Sequence, residues 1–156
     1  MKKIGLFVLI GIIATSIAGF ELYSTTSDEA KAAKEENSVI YLDAQSFKEK
    51  VFDYENNTEW KYEGEVPAIL DFYADWCGPC KMLSPVLNNI QKEYDGKIQI
   101  YKINTDQQRE LSATFGIRSL PTIVFVPLKG EPQAAMGYRS QNDLETMISE
   151  ILQVEK

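Results

Sequence analysis

The spacing of apolar positions changes several times along this chain, and each change marks a different part. From Ile4 to Ala18 the run is apolar apart from small residues such as Gly11, Thr15 and Ser16. Residues 20–38 are polar and poor in large apolar side chains, so they cannot bury enough surface to offset the entropy of ordering them. The pattern of a packed protein begins at Val39. Val39, Ile40 and Leu42 predict a short strand, and Asp43 offers an N-cap for a helix carrying Phe47, Val51 and Tyr54 and ending at Asn56 and Asn57. Ala68 to Ala74 is apolar except for Asp71, as in a strand buried on both faces. Leu83, Leu87, Ile90 and Tyr94 fall at helical spacing ahead of Gly96. A strand over Ile98 to Ile103 follows, then a helix from Gln107 to Phe115 stopped by Gly116. Thr122 to Val126 and Gln133 to Met136 read as two strands joined through the turn at Lys129-Gly130-Glu131-Pro132. Leu144, Met147, Ile148, Ile151 and Leu152 form the stripe of a terminal helix. Strands alternating with helices, then a hairpin, predict an α/β fold with a mixed sheet covered by helices on both faces.

The first segment has the layout of an export signal: Lys2 and Lys3, an apolar run, then Ser16 and Ala18 ahead of Gly19. The apolar run is shorter than the about 20 residues of a spanning helix, which favours cleavage over anchoring. The expected organisation is a signal peptide or membrane anchor over residues 1–19, a polar tether over 20–38 and a folded domain over 39–156. Both forms of the first segment place the domain outside the cytoplasmic membrane.

Composition narrows the chemistry. With 16 Lys plus Arg against 23 Asp plus Glu the formal charge is -7, and no nucleic-acid partner is expected of an acidic chain without a basic run. The chain has no His, which removes Ser-His and Cys-His catalysis and imidazole metal sites. Its only cysteines are Cys77 and Cys80, too few for a multi-disulfide framework or a four-cysteine zinc site. No metal and no cofactor are expected.

Those cysteines stand in Trp76-Cys77-Gly78-Pro79-Cys80-Lys81, after the buried strand and at the start of a helix. Sulfurs at that spacing can form a disulfide with little backbone movement. The first sees the free N–H groups and the positive end of the helix dipole, which favour its thiolate, while the second sits inside the first turn. This separates an attacking sulfur from a resolving one. Pro79 falls where its missing N–H costs nothing and stiffens the connection from Gly78 to Cys80. Two plainer readings stand beside this one: a structural disulfide, which so short a loop would make weakly stabilising, and half of an intermolecular zinc site.

From about Val39 onward the chain resembles a thioredoxin. The motif around Cys77 and Cys80 matches the family's active site in full, Asp71-Phe72-Tyr73-Ala74-Asp75 is close to its preceding strand, and Gly116-Ile117-Arg118-Ser119-Leu120-Pro121-Thr122 is similar to the segment carrying its cis-proline. The resemblance implies a three-layer sandwich with a central mixed sheet flanked by helices. It implies that Asp71 is a buried carboxylate that takes a proton as Cys80 becomes a nucleophile, with Lys102 as its partner. It also implies that Trp76, Leu120, cis-Pro121 and Gly137 line the place where an extended substrate docks.

The implied activity is protein-disulfide reduction by a monomer cycling between a Cys77/Cys80 dithiol and a Cys77–Cys80 disulfide. With the export segment, the expected partners are disulfide-containing envelope proteins and a membrane thiol relay as electron donor. The alternatives are an oxidant or isomerase of the same fold, or a non-catalytic docking module. The chain departs from short cytoplasmic members in its export segment, in a longer stretch from Glu55 to Val66 with Trp60 and Tyr62, and in Tyr73, where many members have tryptophan.

Overall fold

The computed structural model describes residues 38–156; the expected export segment and nearly all of the tether lie outside the described residues. The elements are β1 (Ile40–Tyr41), α1 (Ala44–Lys50), β2 (Ala68–Tyr73), α2 (Gly78–Glu93), β3 (Gln99–Asn104), α3 (Arg109–Thr114), β4 (Thr122–Val126), β5 (Gln133–Met136) and α4 (Gln141–Met147), which continues as a π-helical segment, Ile148–Leu152. The sheet has the order β1-β3-β2-β4-β5. β1 and β2 run parallel to β3, while β4 is antiparallel to both β2 and β5. This is the mixed sheet that the alternation of elements predicts.

β2 lies at the centre of the sheet, which explains its nearly unbroken apolar sequence. Successive side chains of a strand point to opposite faces. Ala68, Leu70 and Phe72 enter the cluster with Phe47 and Val51 of the α1 region and Leu111 of α3. Ile69 enters the opposite cluster, with Leu83, Leu87 and Ile90 of α2 and Leu144 of α4. Two layers of helix therefore enclose the sheet. Asp71 and Tyr73 share the parity of Ile69, so they face the α2 side. On β3, Ile100 belongs to that same cluster, and Lys102 shares its parity. The register pairs Asp71 with Lys102 directly.

The helix starts follow the sequence. The Asp43 carboxylate accepts the Ser46 N–H at 2.8 Å and closes a capping box. Ser140 and Asp143 do the same for α4. The end of α1 differs from the expectation, because the helix stops at Lys50 rather than at Asn56 and Asn57. The Phe47 carbonyl accepts the N–H groups of both Val51 and Phe52, and the Asp53 side chain accepts those of Glu55 and Asn56. A side chain that satisfies nearby N–H groups offers the backbone a turn in place of a further helical one. Tyr54 still reaches the core from that turn, against Phe47 and Phe115. In the long stretch that follows, Trp60 packs on Phe52 at 4.8 Å between ring centroids, and the Tyr62 hydroxyl donates to the Val66 carbonyl at 2.8 Å. A Cβ at Gly64 would run into the Tyr62 ring. These aromatics close one flank of the core.

Candidate active site

β2 carries the chain to the site and ends at Tyr73. The Ala74 carbonyl then accepts the Cys77 N–H at 3.1 Å, a turn that delivers Cys77 to the start of α2. Cys77 is the N-cap, and its Sγ accepts the Cys80 N–H at 3.2 Å. Gly78 and Pro79 fill the first helical positions, where a backbone N–H has no intrahelical acceptor. The sulfurs are joined as a disulfide with the Cα atoms 5.3 Å apart. In this oxidised state both residues are nearly closed off, Cys77 being 4% and Cys80 2% exposed. Residue exposure therefore does not distinguish the attacking from the resolving sulfur here. Their surroundings differ.

Cys77 lines an open groove of about 420 Å³ together with Trp76, Pro79, Arg118 and Leu120. The peptide bond between Leu120 and Pro121 is cis, as the resemblance implies. The Pro121 carbonyl accepts the Gly137 N–H at 2.8 Å, which sets Gly137 beside the cis-proline. Gly137 has φ of +85°, a conformation that favours glycine. Leu120 packs against the cluster of Ala74, Cys77 and Cys80. Trp76 is 71% exposed and donates its indole N–H to Asp106 Oδ2 at 2.9 Å.

Cys80 lines a second cavity, of about 210 Å³, with Tyr41, Tyr73, Asp75, Ser84 and Lys102. Lys102 Nζ lies 2.6 Å from Asp71 Oδ2, and these side chains are only 4% and 0% exposed. It also donates to Ser84 Oγ at 3.4 Å. Ser84 is one helical turn beyond Cys80 on the same side of α2, which ties the ion pair to the Cys80 side of the disulfide. Asp71 Oδ1 is buried with no hydrogen-bond partner. Burial pushes the Asp71 carboxyl above its ordinary range, and the Lys102 ammonium pulls it partly back.

The fold thus brings Trp76, Gly78, Pro79 and Leu120 to the groove beside Cys77, with Gly137 bonded to the Pro121 that follows Leu120, and brings Lys102, paired with Asp71, to the cavity beside Cys80. The sequence reading missed Asp106, Ser84 and Tyr41, and assigned no role to Tyr73. Asp106 had one available signal: it follows β3, and the carboxyl ends of parallel strands are where α/β sheets place their sites. Among the described residues no group of acidic residues and cysteines is arranged to hold a metal.

A disulfide across the first turn of a helix, open on one face to a peptide-sized groove and backed on the other by a buried carboxylate, defines a thiol–disulfide oxidoreductase on an α/β sandwich. The particular family follows from comparison. The thioredoxin family model matches residues 38–150, and the chain belongs to that family. It is 45% identical over 111 residues to a thioredoxin of Borreliella burgdorferi, covering 71% of this chain and 95% of that one. It is 36% identical over 134 residues to an M-type chloroplast thioredoxin of Spinacia oleracea, covering 84% of this chain and 73% of that one. A solved structure of a mutant thioredoxin from Halobacterium salinarum superposes with a TM-score of 0.60 at 27% identity, covering 77% of this chain and 96% of that one. Chloroplastic thioredoxin z, at 24% identity and a TM-score of 0.63 over 75% of this chain and 96% of that one, shares the fold. The enzyme is a protein-disulfide reductase of the thioredoxin type, acting on disulfide-containing proteins.

Proposed function

We propose that this thioredoxin works outside the cytoplasmic membrane, where it reduces disulfides of envelope proteins and is itself recharged by a membrane thiol relay. The observation that carries this reading is the pairing of two sequence features. The charged and apolar start from Met1 to Ala18 directs export, and the Gly78-Pro79 pair between the cysteines resembles the reducing members of the family. A soluble nicotinamide-dependent reductase is a cytoplasmic supply, so an exported reductant needs electrons passed across the membrane.

Each residue has a role in this proposal. The target's backbone pairs in extended form beside Leu120 and cis-Pro121, as an added strand would, while Trp76 covers the sulfurs and Gly137 leaves room for the close approach. The Cys77 thiolate attacks one sulfur of the target disulfide. The S–S bond breaks, a Cys77–target disulfide forms, and the departing target thiolate takes up a proton. Cys80 then loses its proton to Asp71 and attacks Cys77 Sγ. The mixed disulfide breaks, the second target thiolate leaves, and Cys77–Cys80 closes. Two electrons pass from the dithiol to the target. Lys102 holds the charge of the Asp71 carboxylate while Oδ1 remains free to take the proton.

Acid trapping followed by thiol labelling in cells tests place and direction together. The expected result is a Cys77/Cys80 pair that is reduced while the membrane donor runs and becomes oxidised without it. Its reduction potential should lie nearer the about -270 mV of thioredoxin than the about -120 mV of a strong periplasmic oxidant. A pair that stays oxidised with the donor present, and a potential near the oxidant's, would sink the reductase reading and promote the disulfide-forming alternative.

A further inference from the structure

The cavity behind Cys80 contains an aromatic contact to which the steps above assign no role. Lys102 reaches it from β3 with its ammonium almost fully buried, and a buried ammonium is costly unless each of its three donors is engaged. One donor meets Asp71 Oδ2 at 2.6 Å. A second meets Ser84 Oγ at a long 3.4 Å. The remaining side of the ammonium is covered by the ring of Tyr73, whose centroid lies 4.5 Å from Nζ. An aromatic face attracts a cation, and the attraction is largest where water is excluded.

Tyr73 is itself held on two sides. Its ring meets Tyr41 edge to face at 6.3 Å, and its side chain packs on the cluster of Ala74, Cys77 and Cys80. Tyr41 is 65% exposed at the mouth of the cavity. The two tyrosines therefore stand between solvent and the ammonium. Without the Tyr73 face, Lys102 would gain by swinging its long stem toward water, and Asp71 would lose its neighbouring charge.

We propose that Tyr73, wedged by Tyr41, is a positioning residue that keeps the Lys102 ammonium against Asp71 and thereby sets the speed and pH range of the Cys80 step. This rests on the reading of Asp71 as the proton acceptor for Cys80. The groups lining the cavity from which Lys102 reaches the carboxyl are Lys102 itself from β3, Tyr73 and Asp75 from β2 and the turn after it, Cys80, Lys81 and Ser84 from α2, and Tyr41 from β1. Of these, only Lys102 is ion-paired with Asp71. Its withdrawal would push the carboxyl further up, leave less of the base form at neutral pH, and move the step to more alkaline conditions.

A symmetric chromogenic aromatic disulfide separates the steps on the reduced full chain. The first equivalent of aromatic thiolate reports attack by Cys77, and the second reports displacement by Cys80. In Tyr73→Leu the midpoint of the second phase should rise by about one pH unit, the lower end of what withdrawing an adjacent opposite charge does to a carboxyl, while the first phase stays in place. Tyr73→Phe keeps the ring and should restore the parent profile, and Tyr41→Ala should give a smaller shift in the same direction. An unshifted second phase in folded Tyr73→Leu, or an equal shift in Tyr73→Phe, overturns the proposal. If Tyr73→Leu does not fold, Tyr41→Ala decides in the same way. Asp71→Asn keeps the two readings apart: if that change leaves the second phase untouched, the proton-acceptor role itself fails. A slowed second phase there beside an unshifted Tyr73→Leu removes only the role of Tyr73.

Discussion

The two sides of the Cys77–Cys80 disulfide are built from different materials. In front of Cys77 lies a broad groove bounded by an exposed indole and by Leu120, the residue before the cis-proline. Behind Cys80 lies a cavity of half the volume, lined by two tyrosines and by Lys102, the cationic half of a buried ion pair. In the proposed mechanism the groove takes its target by main-chain pairing, which accepts many sequences. The smaller cavity instead gives Cys80 the polar neighbours Asp75, Ser84 and Lys102. The difference teaches that adjacent sulfurs of nearly equal burial can face different chemical surroundings, and the proposed division of work between them follows from those surroundings.

The sharpest way to break this comparison is to remove each sulfur in turn. Cys80→Ser should accumulate mixed disulfides through Cys77, because attack from the groove is intact and the resolving sulfur is gone. Cys77→Ser should accumulate none, and both variants should lose turnover. Non-reducing gels and mass spectrometry of trapped adducts give the answer. Equal trapping by the two variants would mean that the two faces are equivalent.

The rear side can be disabled alone. Asp71→Asn should slow the displacement by Cys80 at neutral pH on the order of 10²-fold, the lower range for loss of a positioned general base. Attack by Cys77, the first phase of the same reaction, should change by less than about twofold. Equal slowing of both phases would place the carboxylate in a shared structural role instead.

The same pair should appear in stability. Burial raises the native Asp71 carboxyl above its ordinary 3.8, despite Lys102. The folded state then binds more protons than the unfolded state at pH values between the ordinary and the raised value. Stability from this group is therefore fully present below the ordinary range and is lost as pH rises through the native value. Replacing both partners, Asp71→Asn with Lys102→Met, should remove this dependence and raise stability at neutral pH by about 1–4 kcal/mol. Asp71→Asn alone should yield less, because the 2.6 Å contact with Lys102 means that the change strands an ammonium. Thermal unfolding of the single and double variants from acid to neutral pH would give the coupling. A less stable double variant would make the pair a net contributor to the fold.

Much of this site could be read from the chain before its structure. The strand over 68–74 with one carboxylate in an apolar run places a buried charge, and the second strand with one lysine offers its partner. The β2–β3 register then joins Asp71 to Lys102. The groove was legible only through the family motif, since nothing in the composition around Leu120 and Pro121 marks a cis bond. Side-chain competition with the backbone was not legible. Asp53 turns the chain where apolar spacing continues the helix to Tyr54, and the stripe of Leu144, Ile148 and Leu152 fits both α-helix and the π-helical segment that forms. The cation–π contact at Tyr73 and the bond from Trp76 to Asp106 were hidden for a different reason. Each joins residues about 30 positions apart through side chains whose directions the pattern of hydrophobicity does not specify.

The smallest expected effect sharpens the front side. Trp76 is the most exposed large apolar residue of the described chain, and the indole N–H to Asp106 Oδ2 bond, at 2.9 Å, links it to the end of β3. An exposed side chain loses rotamer freedom when it docks, and a bond made beforehand reduces that loss. Asp106→Ala should therefore weaken target binding without touching the chemistry. A net hydrogen bond contributes about 0.5–1.5 kcal/mol, and solvent exposure places this one toward the low end. The expected outcome is a rise in KM of about threefold for a disulfide-bonded protein target, with kcat and both chromogenic phases unchanged. Trp76→Ala should raise KM further, through loss of the apolar wall itself. An effect of Asp106→Ala on the Cys80 phase, with KM unchanged, would instead carry Asp106 across to the proton-handling side and erase the division between the two faces.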